Sequence, residues 1–116
     1  MARGVATLSV VSAVLTVTGV DKISAAEREG ATKLSAVDFK FDESSLDIPS
    51  EGTARLVLSN RDFVVHTFTV EELGVDTKIG PRGERLVELE SPPPGIYQFV
   101  CRITGHEAMR GALEVR

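Results

Sequence analysis

The chain reads as an all-β protein, an antiparallel Greek-key sandwich or barrel of about seven strands, preceded by an N-terminal export segment. Three observations carry that reading. Apolar and polar residues alternate with period two along most of the chain after residue 34. Gly- and Pro-containing turns separate short runs at intervals of roughly 8–12 residues. No stretch of residues 27–116 shows a helical period.

The elements follow in order. Arg3 and the charge-free run Gly4 to Val20 have the layout of an export signal, and Ser24-Ala25-Ala26 supplies small residues for cleavage after Ala26. The competing readings are an uncleaved anchor, for which the run is short of the roughly 20 residues of a membrane span, and an ordinary strand-like segment. Residues 1–26 are thus assigned as a signal segment, 27–33 as a linker and 34–116 as one domain. Val37, Phe39 and Phe41 are placed on one face of a first strand. Leu46 and Ile48 form a second, closed by Pro49 and the turn at Gly52. Ala54, Leu56 and Leu58 face inward on a third. Asn60-Arg61-Asp62 breaks the pattern as a loop.

Val64 to Val70 is the fourth run, with His66, Phe68 and Val70 in phase. Glu71 to Gly83 reads as an irregular connection. Val87 and Leu89 face inward on the next strand. Ser91-Pro92-Pro93-Pro94-Gly95 makes a stiff corner, because proline cannot donate to a ladder. Tyr97, Phe99 and Cys101 share a face of the sixth strand, and Leu113 and Val115 of the last.

Composition narrows the function. The 116 residues carry a net charge of −4. That opposes a nucleic-acid partner, which would call for clustered Lys and Arg. The single cysteine, Cys101, excludes an internal disulfide. In an oxidising compartment a lone thiol is expected to be buried, cross-linked to another chain or metal-bound.

The neighbours of Cys101 favour metal. Cys101, His106 and Met109 lie within nine residues between two strands, and His66 is in phase with core-facing positions elsewhere. Each has a bland reading alone: His66 as a hydrogen-bonded core histidine, Cys101 as a small buried hydrophobe, Met109 as a gap-filler, His106 as a solvated loop residue. Together they exhaust the histidine, cysteine and methionine of residues 27–116. Two imidazoles, a thiolate and a weak axial thioether are the blue-copper set. Zinc is the competing metal, but thioether is a poor zinc ligand and Glu107 is the only nearby candidate base.

The chain resembles the cupredoxins, the family of plastocyanin and azurin. The motif Tyr-x-Phe-x-Cys-x4-His-x2-Met-x-Gly from Tyr97 to Gly111, the segment from Asn60 to Val70 and the Pro-Gly-x-Tyr corner at Pro94 to Tyr97 carry the resemblance. It implies one copper ion held by His66, Cys101, His106 and Met109. The His-x2-Met spacing also resembles the binuclear centre of cytochrome oxidase subunit II. That centre needs a cysteine at position 105, where this chain has Gly105, so one copper is expected.

The resemblance implies a monomeric, non-enzymatic electron carrier, periplasmic or otherwise outside the cytoplasm. Its expected partners are redox proteins such as cytochromes or a membrane oxidase or reductase, and it contacts the membrane only if residues 1–26 remain attached. Copper storage or delivery is the alternative, and an assembly module a third reading. The Thr67 amide is expected to donate to the Cys101 sulfur, and Leu73, Val75, Pro81, Ile103 and Ala108 are candidates for an apolar patch beside His106.

Overall fold

The computed structural model describes residues 15–18 and 23–116. Ten strands occur among them: β1 (Leu15–Thr18), β2 (Thr32–Val37), β3 (Lys40–Phe41), β4 (Ser45–Ile48), β5 (Thr53–Asn60), β6 (His66–Val70), β7 (Val75–Ile79), β8 (Glu84–Glu90), β9 (Gly95–Val100) and β10 (Arg110–Val115). They form two five-stranded sheets, in the orders β1-β8-β5-β2-β3 and β4-β10-β9-β6-β7. The sandwich is the expected one, with mixed sheets: β2 runs parallel to β5 and β4 parallel to β10.

The period-two pattern explains the core. On β5, Ala54, Leu56 and Leu58 turn inward, and on β8 Val87 and Leu89 meet them from the same sheet. Phe68 and Val70 of β6, Phe99 of β9 and Leu113 and Val115 of β10 complete one cluster between the layers. Burying an aliphatic or aromatic side chain of this size stabilises the fold by roughly 1.5–3 kcal/mol each before chain entropy is charged.

Three strands exceed the seven expected. Glu71 to Gly83, read as irregular, contains β7, whose Val75, Thr77 and Ile79 are buried while Asp76 and Lys78 are exposed. The reading failed because Leu73, Gly74 and Val75 looked like loop punctuation. In the structure Glu71–Leu73 is a single 3-10 turn ended by Gly74 at φ 71°, after which the alternation restarts. The other additions are β3 and β1; β1 pairs antiparallel with β8 inside the segment read as a signal.

The first predicted strand is displaced. Leu34 and Ala36 are its buried residues, and the chain reverses at Asp38 and Phe39 into β3. Phe39 therefore leaves the core and is 49% exposed. Residues 27–33, expected as a linker, supply the end of a short helix α1 (Ala25–Arg28) and the start of β2. Ser24 and Glu27 form a capping box at its start. Ile23 packs with Val57 and Leu86 on the outer face of the first sheet, and Arg28 pairs with Glu84 at 2.7 Å. The expected cleavage point after Ala26 falls within α1; residues 1–14 and 19–22 lie outside the described residues.

Strand direction places the site. Asn60 ends β5, His66 begins β6 and Cys101 follows β9, all at one end of the sandwich. The loops 61–65, 80–83 and 101–109 and the turn at Asp38-Phe39 gather there.

Candidate metal centre

His66 enters from the first position of β6 with its side chain fully buried. Cys101, just past β9, is 5% exposed. His106 is half-buried in the following loop. The Nδ1 atoms of His66 and His106 lie 3.2 Å apart, and the Cys101 sulfur lies 4.0 Å from the first and 3.6 Å from the second. These are the three ligand-capable side chains that converge among the described residues.

The triangle tests whether an ion fits. Sides of 3.2, 3.6 and 4.0 Å give a circumradius of about 2.1 Å. That matches the roughly 2.0–2.3 Å of bonds from a first-row divalent ion to imidazole nitrogen and thiolate sulfur. One small ion can therefore reach all three atoms without rearrangement. Met109, 1% exposed, packs in one buried cluster with Ala36 and Cys101. The donor set of two imidazoles, a thiolate and an adjacent thioether fits one copper ion.

The loop that carries three of these residues is built from backbone bonds. His106 N–H donates to Ile103 O and Met109 N–H to His106 O, each at 2.9 Å. Two successive turns thus span residues 103–109, the second filling the His-x2-Met interval, and Gly105 takes φ 91°, a value ordinary residues rarely adopt. Cys101 N–H donates to Met109 O at 2.9 Å and closes the loop where β9 meets β10.

Two supports hold the sulfur side. The Thr67 amide donates to the Cys101 sulfur at 3.4 Å, as expected from the sequence. Thr67 Oγ1 accepts from the Arg102 amide at 2.8 Å, tying the next residue to the same strand. Outside this pair, Arg102 and Asp76 form an ion pair at 2.8 Å. The Arg102 guanidinium holds the Asp76 carboxyl below its ordinary value; burial opposes this and the Thr69 hydroxyl adds to it.

The sequence reading gave no role to three contributors. Asp62 Oδ2 lies 2.8 Å from His66 Nε2, on the ring edge away from the sulfur. Its carboxyl is held low chiefly by the Phe39 amide, with burial opposing and His66 and the Asp38 amide assisting. Asn60 crosslinks the loops, donating to Val64 O at 2.8 Å, Ile79 O at 3.0 Å and Gly80 O at 3.1 Å. Phe39 stands edge-on to both imidazoles, with ring centroids 5.8 Å from His66 and 5.0 Å from His106. An acidic residue four positions before His66 was the available signal for Asp62.

The expected apolar patch also changes. Val70 pairs with Val75 at the end of β6 away from His66, so Leu73 and Val75 lie at the opposite pole. Leu73 packs on the core and Val75 is 1% exposed. The large exposed apolar side chains at the metal pole include Val37, Phe39, Phe63 and Val64, with the Arg82 guanidinium 5.1 Å from the Phe63 ring centroid. Half-buried Ile103 and exposed Pro81 and Ala108 remain beside them. No helix among the described residues is long and apolar enough to cross a membrane.

Comparison with known proteins agrees with the fold. A family model described as a cupredoxin-like domain matches residues 7–115. Among solved structures, auracyanin B is similar at a TM-score of 0.63 and 18% identity, covering 72% of this chain and 86% of its own. A chain of a heme-copper terminal oxidase dimer matches at 0.63 and 22% identity, covering 77% of this chain and 67% of its own. A reduced Cu(I) form of an amicyanin variant matches at 0.60 and 20% identity, covering 88% and 98%. Comparison with curated protein sequences finds no match.

Proposed function

We propose, on the premise that this chain belongs to the family of cupredoxin-like domains, that it is an exported mononuclear copper protein carrying single electrons between redox partners. The observation that carries the reading is the triangle of His66 Nδ1, His106 Nδ1 and Cys101 Sγ, sized for one ion, with Met109 packed against Cys101.

Bound copper supplies the one-electron couple. The chain's own residues keep the cost of switching oxidation state low. His66 is fixed by β6, Cys101 by the Thr67 amide, and His106 and Met109 by the two loop turns, so no ligand is free to relocate. Burial of His66, Cys101 and Met109 excludes water from three sides. His106 is the ligand with partial access to solvent, and its edge is the route by which a partner's electron arrives or leaves. The exposed Phe39, Phe63 and Val64 supply apolar contact around it.

The partners are other redox proteins, such as cytochromes or a membrane oxidase or reductase, and the protein performs no catalysis itself. Residues 1–26 direct export, with cleavage after Ala26. Loading with Cu(II) tests the function. An intense visible thiolate-to-copper band, reversible one-electron cycling and copper retention in both states support electron transfer. Colourless binding with rapid loss to a chelator overturns it in favour of copper storage or delivery.

A further inference from the structure

The Asp62 carboxylate serves three donors. Oδ2 meets His66 Nε2 at 2.8 Å and accepts the Phe39 amide at 3.0 Å, while Oδ1 accepts the Asp38 amide at 2.8 Å. Its own backbone is fixed as well: its N–H donates to Asn60 Oδ1 at 2.9 Å and its carbonyl accepts the Arg82 amide at 3.0 Å. The side chain is only 12% exposed.

The turn it holds is strained. Asp38 and Phe39 adopt φ of 55° and 60°, in the left-handed region that a bulky side chain such as Phe disfavours. Such backbone persists only where its surroundings over-determine it. Here consecutive amides converge on one carboxylate, an anion-binding concavity whose anion is a side chain of the protein itself. The same turn brings the Phe39 ring edge-on to His66 and His106, at interplanar angles of 88° and 79°.

The contact with His66 has a chemical consequence. An ionised carboxylate only accepts, so the imidazole nitrogen facing it must carry the proton. That leaves the lone pair on Nδ1, the atom facing Cys101 and His106. A carboxylate behind a ligating imidazole also raises its basicity, which favours the more highly charged state of a bound ion.

We propose that Asp62 is a positioning residue that sets the tautomer and donor strength of His66 and, through the same carboxylate, locks the Asp38-Phe39 turn so that Phe39 caps the two imidazoles. The effect on potential rests on the copper reading; the tautomer and the turn do not.

The test uses the full chain with and without copper. Asp62→Asn keeps the shape but substitutes an amide NH2 for one acceptor oxygen. In the copper-loaded variant the potential should rise while the visible band persists. In the metal-free variant, contacts between the Phe39 and His106 rings should vanish from nuclear Overhauser spectra. An unchanged potential with an intact band, or unchanged ring contacts, overturns the proposal.

Wild-type protein gives a second test that survives failure of the variant to fold. Nitrogen-15 spectra of the metal-free protein should show His66 protonated on Nε2, and the Asp38 and Phe39 amides should resist hydrogen exchange. A proton on Nδ1, or freely exchanging amides, overturns it. If wild type gives no copper band, the copper reading fails by itself while these two measurements still judge the clamp.

Discussion

The Thr67 amide lies 3.4 Å from the Cys101 sulfur and joins the strand that begins with His66 to the strand that ends before Cys101. The bond makes the sulfur an acceptor at a fixed place between two sheet strands. On the proposed copper reading, neither residue would have to reorganise when the charge of a bound ion changes. Cys101 is therefore part of the sandwich and, on the same reading, would also be the electronic contact to the metal.

Replacing that sulfur separates the two roles. Cys101→Ser should abolish the visible charge-transfer band of the Cu(II) protein, because the hydroxyl cannot supply the thiolate transition. The fold should survive with a loss of about 1–3 kcal/mol for burying a hydroxyl in place of sulfur. Absorption spectra and urea titration of the same sample read both. A persisting band removes Cys101 from the site.

Met109 differs from the three triangle residues in being known by packing alone: 1% exposed, against Ala36 and Cys101. Met109→Leu conserves volume, so its stability cost should stay below about 1.5 kcal/mol. The visible band should remain and the potential should rise, since the axial ligand is one control on a blue-copper potential. Cyclic voltammetry checks this. An unchanged potential would leave Met109 as packing only.

Most of the sandwich was legible because its inward residues are apolar and its outward ones are not: Leu56 and Leu58, Val87 and Leu89, Leu113 and Val115 all fall where alternation puts them. Val75–Ile79 was not, because its inward Thr77 is polar and only two of its five residues are apolar. Phe39 was misplaced because alternation has no means of signalling a left-handed turn at two residues other than glycine. Of the centre, His66 and Cys101 announced themselves by phase and chemistry. Asp62 did not, since its role depends on amides 23 and 24 residues earlier in the chain, a relation that exists only after folding.

Gly111 is required by space, not by its backbone angles. It sits opposite Phe99 across β9 and β10, and a Cβ there would overlap the Phe99 ring and come within 2.8 Å of Ser44 O. Phe99 cannot retreat, being 0% exposed and packed against Phe41 and Phe68. Gly111→Ala should cost about 1–3 kcal/mol from overpacking, read as a lower urea midpoint. Its effect should reach the centre too, because Arg110 and Met109 precede it directly. An alanine variant as stable as wild type would mean that β10 can shift away from Ser44.

The ion pair of Arg28 with Glu84 ties α1 to the start of β8, at 2.7 Å with about a third of each side chain exposed. Hydrogen bonding from Arg28 holds the Glu84 carboxyl below its ordinary value; burial works against this and the Ser59 hydroxyl, 3.1 Å away, adds to it. A carboxyl more acidic in the folded protein than in the unfolded chain stabilises the fold at pH above the unfolded value of about 4.3. That contribution disappears as pH falls through the lower folded value. Glu84→Gln should therefore lower stability at pH 7 by about 0.2–1 kcal/mol, the range for a solvent-screened pair, and the deficit should vanish toward pH 3. Arg28→Ala should show the same pH dependence, and the double variant should be little worse than either single one. Urea midpoints measured from pH 7 to pH 3 decide it; a deficit independent of pH would show that Glu84 acts through packing and its bond to Ser59, not through its charge.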